Sequence, residues 1–168
     1  MAHAQSFPPV AASSAQVLIL GSMPGQASLD AQQYYAHPRN SFWPIMGALF
    51  DFDSQFVYQK RIESVKQAGV AIWDVLQSCY RPGSLDADID ESSITANDFH
   101  SFLKQHSNIQ AIFFNGAKAE QSFRKYVLPG LGELVPDTLV KLPSTSPAHA
   151  AMSFEQKLAQ WAQIKLQS

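Results

Sequence analysis

Residues 17–46 read VLILGSMPGQASLDAQQYYAHPRNSFWPIM, and this stretch decides the fold. It opens on an apolar run, Val17 to Leu20, that reads as a buried strand ending at Gly21. A loop of about 19 residues follows, Ser22 to Asn40, longer than a compact domain keeps without a use for it. Gly21, Pro24 and Gly25 shape its first turn, because glycine lets the main chain approach a ligand and proline fixes a backbone angle. Two tyrosines, His37, Arg39 and Asn40 then precede the apolar Phe42-Trp43-Pro44-Ile45-Met46. A buried strand feeding a rigid polar and aromatic loop is how α/β proteins build a pocket at the carboxyl end of a strand.

Working outward, the pattern alternates strands with helices. Phe42 to Phe50 predicts a short helix, capped by Asn40 or Ser41. Ser54 to Ala68 predicts another, with Phe56, Val57, Ile62 and Val65 on its apolar side and Gly69 as its stop. Val70 to Leu76 predicts a second strand, and Thr95 to Asp98 a capping box opening a helix that runs to about Gln105. Ile109 to Phe114 predicts a third strand, Ala117 to Tyr126 a helix, and Leu139 to Leu142 a fourth strand. Ser153 to Gln156 caps a last helix carrying Phe154, Leu158 and Trp161. The expected fold is a three-layer α/β/α sandwich around a mostly parallel four-stranded sheet. Residues 1–16, rich in Ala, Ser and Pro, are expected as a loosely held lead-in to one domain over 17–168.

Composition narrows the function. The chain has 168 residues, 46% hydrophobic and 15% charged, which describes a folded domain rather than a disordered one. No apolar run reaches the length of a membrane span, and the first residues lack a basic signal-peptide start, so a cytoplasmic location is expected. A single cysteine, Cys79, excludes an internal disulfide and a cysteine-ligated iron–sulfur cluster. No arrangement of His, Cys and carboxylates has metal-ligand spacing, so no cofactor and no metal are expected. Net charge of −2 runs against strong non-specific nucleic-acid binding, which rests on Lys and Arg neutralising phosphates. Asp86, Asp88, Asp90 and Glu91 are bunched, whereas Lys118, Arg124, Lys125 and Lys141 lie elsewhere.

Three polar clusters fall directly after apolar strands: Gly21 to Asn40, Asn115-Gly116, and Pro143 to His149. In a parallel sheet those strand ends lie on one edge, so the clusters are expected to share a cleft. On spacing alone, Asn40 is a helix cap, Asn115 a turn former before glycine, and residues 143–149 an ordinary Ser/Pro loop. Asp74 and Asp86 could act as bases, but nothing in their spacing selects either.

The run Tyr35-Ala36-His37-Pro38-Arg39-Asn40-Ser41-Phe42-Trp43, with Gly21-Ser22-Met23-Pro24-Gly25 before it, resembles the first motif of the uracil-DNA glycosylase superfamily. Tyr34-Tyr35, Arg39 and the glycine-rich start are most similar to its hypoxanthine-DNA glycosylase branch. Leu142 to Ala150 resembles the second motif, a loop that enters the DNA minor groove. The resemblance implies the same α/β/α fold and hydrolysis of the N-glycosidic bond of deaminated bases in double-stranded DNA, hypoxanthine and also uracil. Asn40 would orient the attacking water, Tyr35 would stack on the flipped base, and Gly21 and Ser22 would form the pocket floor. Asn115 would read the base, since one amide both donates and accepts. Ser144, Thr145, Ser146, Ala148 and His149 would hold the DNA strand. Two positions depart from relatives: Met23 stands where mismatch-specific enzymes carry a catalytic Asn, and Leu142 where uracil-specific enzymes carry a His that stabilises departing uracil. No lysine lies within the motifs, so a monofunctional enzyme, acting as a monomer, is expected. A mismatch-specific uracil glycosylase and a non-catalytic module binding a damaged base are the alternatives.

Overall fold

Four parallel strands form the central sheet of the computed structural model, which describes residues 2–166; Met1, and Gln167 and Ser168 at the end of the expected domain, lie outside the described residues. In chain order the strands are β1 (His3–Gln5), β2 (Val17–Gly21), β3 (Val70–Asp74), β4 (Leu76–Tyr80), β5 (Asp90–Ala96), β6 (Ala111–Asn115) and β7 (Thr138–Leu142). The helices are α1 (Gln26–Ala31), α2 (Phe42–Phe50), α3 (Tyr58–Gln67), α4 (Phe99–Gln105), α5 (Ala117–Tyr126) and α6 (Phe154–Trp161). The sheet runs β3-β2-β6-β7, all parallel, with Leu18 between Ala71 and Ile112 in register.

Both faces of this sheet are covered, which is why β2, β3 and β6 read as apolar runs up to their last residue, while the edge strand β7 is half-buried and carries the exposed Lys141. Successive side chains point to opposite faces. Leu18, Leu20, Ala71, Trp73, Ile112 and Phe114 meet α4 and α5 through Phe99, Phe102 and Phe123. Val17, Ile19, Ile72 and Phe113 meet α2, α3 and α6 through Phe42, Ile45, Ile62, Val65 and Trp161. The result is the expected three layers.

Several boundaries differ from the sequence reading. The lead-in is not loose at its start: β1 pairs antiparallel with β4, Val10 bridges Ile72, and Ala4 and Ala15 are buried. The second strand ends at Asp74, and beyond Val75 the chain enters a separate antiparallel sheet, β1-β4-β5, that the sequence did not disclose. Short strands with exposed polar faces carry no period strong enough to read. The third helix starts only at Tyr58, because Asp53 Oδ1 accepts the Gln55 N–H and holds a local turn in place of a helix. Val57, placed on its apolar side, is 74% exposed. Thr95 belongs to β5, and the cap of α4 is Asp98, whose carboxylate accepts from the Ser101 N–H and hydroxyl at 3.1 and 2.8 Å. The long motif loop contains α1, six residues too short to show a helical period.

Candidate active site

At the carboxyl edge of the parallel sheet lies a cleft of about 940 Å³, within the range of small-molecule pockets. Gly21, Asp74 and Asn115 reach it from the ends of β2, β3 and β6. Ser22, Tyr35 and Asn40 reach it from the motif loop, and Ser144, Thr145, Ser146, Ala148 and His149 from the loop after β7. All three polar clusters therefore meet in one cleft.

The motif loop is fixed from several sides. The Trp43 indole donates to the Tyr34 carbonyl at 2.8 Å, the Tyr34 N–H donates to the Tyr58 hydroxyl at 3.0 Å, and the Tyr34 hydroxyl donates to Pro8 O at 2.8 Å. Tyr34 is thus a core residue. Tyr35 instead lines the cleft with a left-handed backbone, φ 56°, a conformation costly for a bulky side chain and found where a site over-determines it. Its ring stacks on Phe42 at 4.0 Å and 21°, so only its other face can stack on a base. Its hydroxyl is buried with no hydrogen-bond partner. Burial, then the Asp74 carboxylate, push that phenol far above its ordinary pKa, while the nearby Asn115 amide pulls the other way without closing a hydrogen bond.

Gly21 earns its place by close approach and not by an unusual φ. A Cβ there would stand 2.6 Å from Asp74 Oδ1 and 3.1 Å from the Tyr35 hydroxyl, so no side chain fits. Asp74 is 3% exposed, and its Oδ2 has no partner. Burial first, then the Asp86 carboxylate, raise its carboxyl pKa from 3.8 to about 7, against the Arg81 guanidinium. Arg81 is itself buried and donates to Pro24 O at 2.6 Å and Gly83 O at 2.7 Å, tying the glycine-rich turn to the chain beyond β4. The Ser22 hydroxyl donates to Asp86 Oδ1 at 2.5 Å.

Asn115 is locked by Thr145. Its Oδ1 accepts the Thr145 N–H at 2.9 Å, and its Nδ2 donates to Thr145 Oγ1 at 3.0 Å. A backbone N–H can only donate, so this pair fixes which end of the amide is oxygen. One Nδ2 proton and one Oδ1 lone pair are left over. Gly116 follows at φ +95°, with the Ser144 Cβ 3.2 Å from where its own Cβ would be, bringing the β7 loop against the end of β6. Thr145, expected at the DNA strand, is 1% exposed, and its hydroxyl oxygen accepts from Asn115. Ser144 Oγ accepts the Ser146 N–H and Ser146 Oγ accepts the Ala148 N–H, which shapes the loop and leaves both hydroxyl protons available.

Asn40 does what spacing alone suggested: its Oδ1 accepts the Phe42 N–H at 2.9 Å and caps α2. Ser41, the other candidate, makes no side-chain cap bond. The Asn40 Nδ2 is not used in that cap, and the side chain lines the cleft. Met23 is buried among Leu20 and Trp73, and Leu142, 1% exposed, packs into the opposite core.

The fold brings three further groups to the cleft: Asp74 and Asp86, between which spacing made no choice as bases, and Lys118, which the sequence showed only as one of several scattered cations. Asp74 carries the same signal as Asn115, a polar residue ending an apolar strand. Lys118, the second residue of α5, pairs with Glu91, which also accepts from the Tyr126 hydroxyl. Arg124 pairs with Glu120 at 3.5 Å, so two of the scattered cations face carboxylates rather than forming a patch. Among the described residues no group of three or more His, Cys, Asp or Glu side chains is placed to hold a metal ion.

Residues 8–165 match the model of the Uracil DNA glycosylase superfamily. The Hypoxanthine DNA glycosylase of Methanosarcina acetivorans is 33% identical over 161 residues, covering 95% of this chain and 96% of that one. The Hypoxanthine DNA glycosylase of Methanosarcina barkeri is 38% identical over 116 residues, 68% of this chain and 72% of that one. A solution NMR structure of a candidate uracil DNA glycosylase from Methanosarcina acetivorans superposes with a TM-score of 0.80 at 32% identity, covering 97% of this chain and 96% of that one.

Proposed function

The chain belongs to the uracil DNA glycosylase superfamily, and on that premise we propose that it is a monofunctional DNA glycosylase that removes deaminated bases from double-stranded DNA. Hypoxanthine is the first substrate and uracil the second, in base excision repair. The products are the free base and an abasic site. We take the enzyme to act as a monomer in the cytoplasm.

The observation that carries this reading is the locked amide of Asn115. Its free Oδ1 lone pair suits an N–H on the base, and its free Nδ2 proton suits the neighbouring carbonyl. Hypoxanthine presents N1–H beside O6, and uracil presents N3–H beside O4. Adenine and cytosine present the reverse pattern, and because Thr145 prevents the amide from turning over they would leave unpaired polar atoms, at about 1–3 kcal/mol each. Tyr35 supplies the stacking surface. Asn40 orients the water through its Nδ2 end, while Ser144, Ser146, Ala148 and His149 approach the strand that carries the lesion. Met23, which brings only a thioether to the cleft lining, and Leu142, packed in the core, argue for the hypoxanthine branch over a mismatch-specific uracil enzyme.

Incubation with duplexes containing inosine, uracil or xanthine, scored for alkali-labile sites, tests the reading. Release of hypoxanthine by the wild type and its loss in Asn115→Asp are expected, because a carboxylate accepts but cannot donate to the base carbonyl. No abasic product from any of the three duplexes would refute it.

A further inference from the structure

We propose that Asp74 is the acid that serves the departing base, giving its carboxyl proton to N7 of a flipped hypoxanthine as the bond from N9 to the sugar breaks. This rests on the glycosylase reading above and supplies a part of the mechanism that the apolar Leu142 cannot. Leu142 is buried and its side chain carries no polar atom, so a side chain that helps the leaving group comes from another element.

The geometry selects Asp74. The strand order β3-β2-β6 places it and Asn115 on either side of Gly21, two strand spacings apart, or about 10 Å between backbones. A purine lying over Gly21 would present its Watson–Crick edge to Asn115 and its imidazole edge toward Asp74. The bare Cα of Gly21 makes that arrangement possible, since the Asp74 carboxyl occupies the space a side chain would need. Asp74 Oδ2 is buried and unmet by any donor of the protein, an exception that calls for a partner from outside. His37 and His149 also line the cleft, but neither is buried, and His37 spends its Nδ1 accepting the Arg39 N–H.

The groups facing this carboxyl favour its acid form. Asp86, from the turn after Leu85, and burial hold the proton on; Arg81, from the chain past β4, opposes them; Tyr34 and Tyr35 face it from the motif loop. Bound DNA adds phosphate charge and displaces water, and both act in the same direction as Asp86. An acid titrating near neutrality is suited to this work.

The step balances. The Asp74 proton forms a bond to N7, and the N9–C1′ bond breaks with its electron pair remaining on N9. Hypoxanthine leaves as its neutral N7–H tautomer. Water adds to the sugar cation at C1′ and loses one proton to solvent, and the Asp74 carboxylate takes one proton back from solvent. Uracil has no N7 and gains nothing from this transfer.

Single-turnover release from an inosine duplex, measured from pH 5.5 to 8.5, tests the assignment. The wild-type rate should fall as pH rises through the titration of Asp74. Asp74→Asn should lower the inosine rate by about a hundredfold or more and remove that alkaline fall. Asp86→Asn, which takes a negative neighbour away, should move the fall to lower pH without abolishing it, and this variant decides the matter if Asp74→Asn does not fold. An unchanged rate and profile in a folded Asp74→Asn, an unmoved profile in Asp86→Asn, or an equal loss on inosine and uracil would each overturn the assignment. Failure of the wild type to release any base would instead defeat the glycosylase reading itself.

Discussion

Replacing Asp74 by Asn should make this protein more resistant to unfolding, and increasingly so as pH rises. The carboxyl titrates near 7 in the folded chain against 3.8 for an ordinary aspartate. Between those values the folded state holds a proton that the unfolded state has lost, so folding stability falls as pH rises and levels off above the folded pKa. Each pKa unit is worth 1.36 kcal/mol. The term therefore changes by roughly 3 kcal/mol between pH 5 and pH 8, out of a total stability of about 5–15 kcal/mol. Asn has nearly the same shape and no charge to bury. Urea titrations of wild type and Asp74→Asn at half-unit pH steps isolate the effect, because titrating groups remote from Asp74 cancel in the difference. The gap between the two curves should widen through neutrality and then stay constant, with melting temperatures parting by on the order of 5–10 °C at the alkaline end. A gap that stays flat from pH 5 to pH 8 would mean that Asp74 is solvated and ionised throughout, and the account of the cleft would fail with it.

Other outcomes follow from the same contacts. Asn40→Ala should slow base release by roughly tenfold to a thousandfold and lose about 1 kcal/mol of stability with the cap on α2; wild-type turnover in the folded variant would leave Asn40 as a cap alone. Thr145→Val keeps the backbone N–H that orients Asn115 but deletes the hydroxyl bond, so about 1 kcal/mol, or roughly fivefold in kcat/KM on inosine, should disappear. An unchanged kcat/KM would show that the hydroxyl does not hold the reading amide. Gly21→Ala drives a methyl to 2.6 Å from Asp74 Oδ1; calorimetry should find it destabilised by about 1–3 kcal/mol, and an unchanged melting temperature would deny the close approach. Ser144→Ala with Ser146→Ala should weaken binding of inosine and uracil duplexes alike, read by fluorescence anisotropy, since phosphate contacts do not distinguish bases.

The sequence by itself determined the parallel sheet and its site edge. Three apolar runs that must be buried on both faces, Val17 to Leu20 among them, and a fourth, half-buried strand at the edge admit few arrangements, and helical periods between them supply the outer layers. The places of Asn115 and of the residues after Leu142 were likewise legible, because polar residues that end buried strands must gather where those strands end, whereas Asn40 read as a helix cap and drew its site role from the family resemblance alone. What the sequence could not show was how each group would be spent. Thr145 and Ser144 read alike along the chain, yet one is buried against Asn115 and the other faces the cleft, a difference made by β6 and β7 lying side by side. Asp74 ends an apolar run and Asp88 lies in an acidic one, and neither pattern tells what the carboxyl does; Asp74 is sealed beside Gly21, with Asp86 near enough to lift its pKa. Local pattern records which residues prefer to leave water. Proximity between residues 21, 74, 86, 115 and 145 arises only when the strands are paired, and charge, burial and hydrogen bonding at the site depend on that proximity.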